Sequence, residues 1–184
     1  MITINANNLE NAERLLRLAP NEIKSAALAA VNRTASKVNT QTSRSIREKY
    51  NIKAKIVKSH IKKQNATKSS LTAKIIGSGT PFLITHFTVR KRRKGPLLVK
   101  VLKRGNAKPV PGMFLGTARK GFTGAMMRLK RSSYPLRIPY GPSVPTMFGN
   151  RDVANELESM ADKWLNERFN HEVNYRFGKL WRTQ

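Results

Sequence analysis

The chain has 184 residues and carries 36 lysines and arginines against 10 aspartates and glutamates, a net charge of +26. With no cysteine it can build neither disulfides nor thiolate metal sites, and with no run of about 18 apolar residues it offers no membrane span. Its apolar share of 39% lies below the roughly 45–50% of average globular chains, so the core is lean and part of the stability is expected from partner subunits. The length suits one domain, or one domain with a projecting arm. Residues 1–10 are polar with no apolar signal core, which predicts a soluble, intracellular birthplace.

The charge is unevenly placed. Residues 1–30 hold three basic and three acidic residues, and residues 141–184 hold six of each. Residues 31–140 hold 27 basic residues and one acid, Glu48, so the whole net charge sits mid-chain. Such a centre repels itself and calls for a polyanion or an acidic partner.

Taken in order, Asn8 to Arg17 predicts a short amphipathic helix through Leu9, Ala12, Leu15 and Leu16. Pro20 suits the first turn of the next helix. From there Ile23, Ala27, Ala30, Val31, Thr34, Val38, Thr42 and Ile46 recur at helical spacing, predicting a long helix that ends near Tyr50. Its other faces carry Lys24, Arg33, Lys37, Arg44 and Arg47, read as a solvated surface. Lys53 to Lys63 predicts a further short helix, and Asn65 to Ser70 a polar linker.

A β-rich region follows. Leu71, Ala73 and Ile75 alternate with Thr72 and Lys74 at the two-residue period of a half-buried strand. Phe82–Val89 and Leu97–Leu102 predict two more strands, joined through Arg90, Lys91, Arg92, Arg93, Lys94 and Gly95 as a hairpin with five adjacent cations at its tip. Lys103 to Pro111 reads as a connection. Met113–Thr117 and Ala125–Lys130 predict strands around the loop at Arg119, Lys120 and Gly121. Four prolines between Pro135 and Pro145 predict an extended, rigid edge or clasp, because proline fixes φ and lacks an amide hydrogen. Asp152 is placed to cap a last helix, whose apolar stripe runs through Val153, Leu157, Met160, Ala161, Trp164, Leu165, Phe169 and Phe177. Acids Asp152, Glu156, Glu158 and Asp162 crowd its first half, which suits the helix dipole.

Catalytic chemistry is poorly provided for. His60, His86 and His171 lack metal-ligand spacing. The serines have no nucleophile-elbow context, and Gly77-Ser78-Gly79 is not a phosphate loop. A nuclease would have to assemble from Glu48 and a C-terminal acid, short of the carboxylates that usually hold catalytic Mg²⁺. No enzyme and no cofactor is expected. The basic clusters are the strong signal: Arg90–Lys94, Lys103 with Arg104, Arg119 with Lys120, and Arg128, Lys130 and Arg131. They fall on predicted loops and strands rather than along one recognition helix. Phe114, Phe122 and Tyr134 are read as core rather than as stacking platforms, so contact with phosphates and without sequence preference is the expectation.

Several stretches resemble the prophage minor tail protein Z, or tail-completion, family. They are Ala26–Ala35 (AALAAVNRTA), Arg47–Ile52 (REKYNI) with Val57, Val110–Phe114 (VPGMF), Tyr134–Tyr140 (YPLRIPY) and Gly141–Phe148 (GPSVPTMF). The order of segments, the basic middle and the C-terminal helix match as well, over nearly the whole chain. The arm around Arg90–Lys94 varies in such proteins, so its role transfers least. The resemblance implies a virion protein, assembled in the host cytoplasm, that completes the head-proximal end of the tail. It implies a homo-oligomeric ring, six-fold, at the neck, in contact with other tail and neck proteins and around double-stranded DNA. The expected fold is α+β: a long N-terminal helix packed on an antiparallel sheet with a projecting basic hairpin, closed by a C-terminal helix. It is expected as one tail-completion domain over 1–184, with a helical part (1–63), a basic β part (71–131) whose hairpin arm lies around 90–95, a proline clasp (134–148) and a C-terminal helix (152–178). Composition alone also admits a nucleic-acid-coating protein of a ribosome- or nucleoid-associated kind.

Overall fold

The computed structural model describes residues 1–5, 20–117, 121–129 and 134–182. The helix expected over Asn8–Arg17 lies outside them. The fold is α+β, with a long N-terminal helix packed on a long C-terminal helix and three small antiparallel sheets. The chain divides into two compact units. One comprises residues 1–43, 61–77 and 148–184, the other residues 44–60 and 78–147.

The first unit is built on two helices. α1 spans Pro20–Lys49, with Glu22 in its first turn and Arg47 and Lys49 in its last, each sign matched to the local end of the dipole. Its buried stripe runs through Ile23, Ala26, Ala27, Ala30, Val31, Thr34, Ala35, Val38 and Thr42. The alanines let another backbone come close. The facing helix, α4 (Arg151–Arg182), buries Val153, Leu157, Ala161, Leu165, Phe169 and Val173, one residue in every four. Cross-links show that the two helices run antiparallel. Arg176 Nη1 meets Glu22 at 3.3 Å, Arg33 Nη1 meets Glu172 at 3.0 Å, and Lys37 Nζ sits 4.1 Å from the centre of the Trp164 ring. Helix α4 is capped by Asn150, whose side-chain oxygen accepts from the Asp152 amide at 3.2 Å. Asp152 therefore sits within the first turn, where its charge suits the dipole, and is not the cap expected from the sequence.

Beside these helices β3 (Thr72–Gly77) lies between β1 (Ile2–Asn5) and β2 (Ile61–Gln64). Ile2 pairs with Ile75, and Ile61 with Gly77. The predicted helix over Lys53–Lys63 is thus shorter. It survives as α2 (Ala54–Ser59), and the chain turns at His60 into β2 because the edge of β3 takes up its backbone hydrogen bonds. The turn after β2 is clamped to α1 twice: Asn32 Nδ2 donates to the Ala66 carbonyl at 3.1 Å, and the Ala66 amide donates to Asn32 Oδ1 at 2.8 Å.

The second unit carries the other two sheets. One has the order β4 (Thr88–Arg90), β5 (Leu97–Lys100), β6 (Lys108–Val110). The other has the order β7 (Met113–Thr117), β8 (Thr123–Arg128), β9 (Leu136–Arg137). Among the described residues the antiparallel β structure is divided into nine short strands in three small sheets rather than one sheet. Phe82–Val89 is not one strand: a 3-10 turn at Ile84–His86 precedes β4. The buried residues there are Phe82, Ile84 and Phe87, and that spacing breaks the two-residue period a strand needs. Pro109 sits in β6 at a sheet edge, where its missing amide costs no ladder bond. The proline segment supplies β9 at the other sheet's edge, then a short helix, α3 (Val144–Phe148). Ser143 caps α3, its Oγ accepting from the Thr146 amide at 3.3 Å. Gly141 passes so close to Phe87 that a Cβ there would collide with the ring. Among the described residues no helix is long and apolar enough to cross a membrane.

Candidate nucleic-acid interface

The sheet β4–β5–β6 projects the densest cluster. Register pairs Thr88 with Lys100, Val89 with Val99 and Arg90 with Leu98. Leu97 and Val99 are buried on one face of β5, which holds the hairpin to the unit. The connection then carries Arg90, Lys91, Arg92, Arg93 and Lys94 into solvent, every one exposed. Gly95 closes the turn at φ +103°, a conformation that costs other residues strain. Among the described residues none of the five is paired with an acid, and five adjacent charges without paired anions stay in water because burying them is costly.

Lys103 and Arg104 follow β5 and are also exposed. The Lys103 amide donates to the Lys49 carbonyl at 2.9 Å, and the Asn51 amide to the Val101 carbonyl at 2.7 Å. These bonds fasten the end of β5 to the end of α1. The tip and Lys103–Arg104 thus leave opposite ends of one strand, and the sheet does not bring them together. Arg128, on β8, is exposed and lies over Phe114 with its guanidinium 5.2 Å from the ring centre. Arg119, Lys120, Lys130 and Arg131 lie outside the described residues. Phe114 and Phe122 are half-buried, whereas Tyr134, expected in the core, is 66% exposed, since it precedes the edge strand β9. Lys108 and Arg137, outside the clusters singled out in the sequence, are exposed cations on β6 and β9. Among the described residues no group of three or more histidines, cysteines or acids is placed to hold a metal ion.

The division into units sharpens the charge map. The unit of residues 44–60 and 78–147 holds 21 basic residues and one acid, Glu48. The helical unit holds 15 basic residues and nine acids.

A profile of the prophage minor tail protein Z (GPZ) family matches residues 7–181. The chain belongs to this family. No curated protein and no solved structure matches it. As a minor tail protein Z family member it is a structural component of a phage tail and not an enzyme, and other tail proteins are its partners. The stretches that carried the resemblance have structural tasks in this tail protein. Asn32 clamps the turn at Ala66, Arg33 pairs with Glu172, and the segment Gly141–Phe148 makes the Phe87 contact and α3.

Proposed function

We propose that this tail protein completes the head-proximal end of the tail as a ring of six copies at the head–tail junction. Its cationic unit faces double-stranded DNA or acidic neck proteins. The observation that carries the reading is the charge of that unit, 21 basic residues against one acid, with Arg90–Lys94 exposed to solvent at the turn between β4 and β5. A surface of one sign raises the local concentration of a polyanion, and phosphate contacts give affinity without reading sequence. The helical unit holds nine of the ten acids and a smaller net charge, 15 − 9 = +6, which leaves it better suited than the cationic unit to contacts between subunits.

Duplex binding measured from low to high salt, with two unrelated sequences, tests the nucleic-acid half. A log–log slope of about −0.9 per phosphate contacted and equal affinity for both sequences are expected. A flat salt dependence, or strong preference for one sequence, contradicts it.

A further inference from the structure

The sheet β7–β8–β9 ends on β7, which pairs with β8 and with no strand on its other side. The Arg128 amide donates to the Gly112 carbonyl at 3.3 Å, and the Leu129 amide to the Pro135 carbonyl at 3.4 Å. These two bonds fix the phase of both ladders, because the backbone groups of successive residues point to alternate sides of a strand. Phe114 and Gly116, opposite Met126 and Gly124, therefore turn their amides and carbonyls toward β8. Met113, Leu115 and Thr117 turn theirs toward the open edge, and none of the three has a backbone partner there among the described residues. Leu115 is 47% exposed, and Thr117 is exposed as well.

An open edge is a template for another strand, and charged residues or proline commonly blunt it. β2 carries Lys62 and Lys63, β4 Arg90, β6 Lys108 and Pro109, and β9 Arg137. β7 (MFLGT) carries neither a charge nor a proline. On one face it leaves Leu115 in water. On the other face Arg128 reaches across from β8, its guanidinium 5.2 Å from the centre of the Phe114 ring, so a cation stands over the edge strand itself.

We propose that the β7 edge accepts, as an added antiparallel strand, an extended segment of a partner protein in which acidic and apolar residues alternate. Opposed residues on neighbouring strands share a face. A residue opposite Leu115 lies beside that leucine and gains by being apolar. A residue opposite Phe114 lies beside the Arg128 guanidinium and gains by being acidic. The surrounding unit, with 21 basic residues against one acid, adds attraction for such a segment. A second copy of this chain fits less well: none of the nine described strands contains an acid, and pairing two β7 edges brings two cationic units together. A nucleic-acid backbone offers no ladder of amides. In strand addition the main-chain hydrogen bonds give affinity and the alternate side chains give selection. The proposal rests neither on the ring nor on DNA contact.

The test titrates the isotope-labelled full chain with a capped Val-Glu-Val-Glu-Val peptide at constant ionic strength and follows the backbone amides by nuclear magnetic resonance. A saturable shift at the Leu115 and Thr117 amides is expected, with slowed hydrogen exchange at both. N-methylation of the valines removes the peptide amides that face β7 and weakens binding at least about tenfold, whereas N-methylation of the glutamates, whose amides face away, changes it by less than about threefold. These peptides test the edge on the unaltered chain. Val-Lys-Val-Lys-Val binds at least about tenfold more weakly, since like charges then meet. Arg128→Gln weakens the Glu peptide by about threefold to tenfold, the loss of one charged partner. Leu115→Pro removes an edge amide and no β7–β8 bond, so it weakens the peptide while melting stays close to the parent. A variant with Arg90–Lys94 changed to Ser binds the peptide within about threefold of the parent, which separates the edge from general attraction. No saturable shift at β7, equal losses from the two N-methylated peptides, equal binding of the Lys peptide, indifference to Leu115→Pro, or loss of binding in the tip variant overturns the proposal.

Discussion

Arg33 and Glu172 come from distant parts of the chain and meet as an ion pair, Nη1 3.0 Å from Oε1, with the carboxylate buried and the guanidinium reaching out of the helix pair. Arg168 reaches the same oxygen from one turn before on α4. The pair fixes which residues of α1 face which of α4. Glu172→Ala is expected to lower stability by about 1–3 kcal/mol. That is below the roughly 3–5 kcal/mol for breaking a wholly buried pair, because the Arg33 side chain is 58% exposed and water screens what remains. Denaturant melts of the single variants and of Arg33→Ala/Glu172→Ala check this; an unchanged midpoint for Glu172→Ala contradicts it.

Gly141 is a contact point rather than a hinge. Its backbone lies against the Phe87 ring, so Gly141→Ala must push that ring aside, at a cost of about 1–3 kcal/mol. Adding Phe87→Leu, which frees space, should recover part of the loss. If the two losses simply add, the collision is not the cause.

The segment after it should respond residue by residue. Met147 is fully buried, so Met147→Ala costs about 2–5 kcal/mol. Ser143→Ala removes the α3 cap and costs about 1 kcal/mol. Pro142→Ala with Pro145→Ala frees the unfolded chain and costs about 0.4–1 kcal/mol for each, with a matching loss in assembly. Thermal melts give the order; unchanged melting and assembly for the proline pair would make the segment a passive linker.

The hairpin tip should serve a partner and not the fold. With Arg90, Lys91, Arg92, Arg93 and Lys94 all changed to Ser, circular dichroism and melting should stay close to the parent, or melting should rise as repulsion is relieved. The salt slope for duplex binding should fall by up to about 4.5, five phosphate contacts at 0.9 each. Joining of tails to filled heads should fall too. Collapse of folding would mean that these cations are paired within the domain.

Much of this architecture is legible in the sequence where one period persists. Ile23 to Ile46 and Val153 to Phe169 repeat at helical spacing long enough to identify α1 and α4, and Ala73 and Ile75 alternate clearly enough to identify β3. Shorter strands are hidden. Ile2 alternates for only the four residues of β1, and Pro109 argues for a loop until an edge position makes it tolerable. The basic tip at Arg90–Lys94 is readable because so many adjacent cations have nowhere to go but outward. The contact face between α1 and α4 is not readable. Arg33 and Lys37 look like any solvated helix face, and only the register with α4 brings Trp164, Arg168 and the buried Glu172 beside them. Thr34 lies on the apolar stripe, where a threonine attracts no notice until its hydroxyl is found without a partner among the described residues.

The most direct test of the central claim is the position of the protein on the assembled particle. An affinity tag on the C-terminus, labelled with gold and viewed in electron micrographs of intact virions, reads it. Label confined to the head-proximal end of the tail, at the junction with the head, is the predicted result. Label along the tail tube or at the distal tip, with none at the junction, contradicts it.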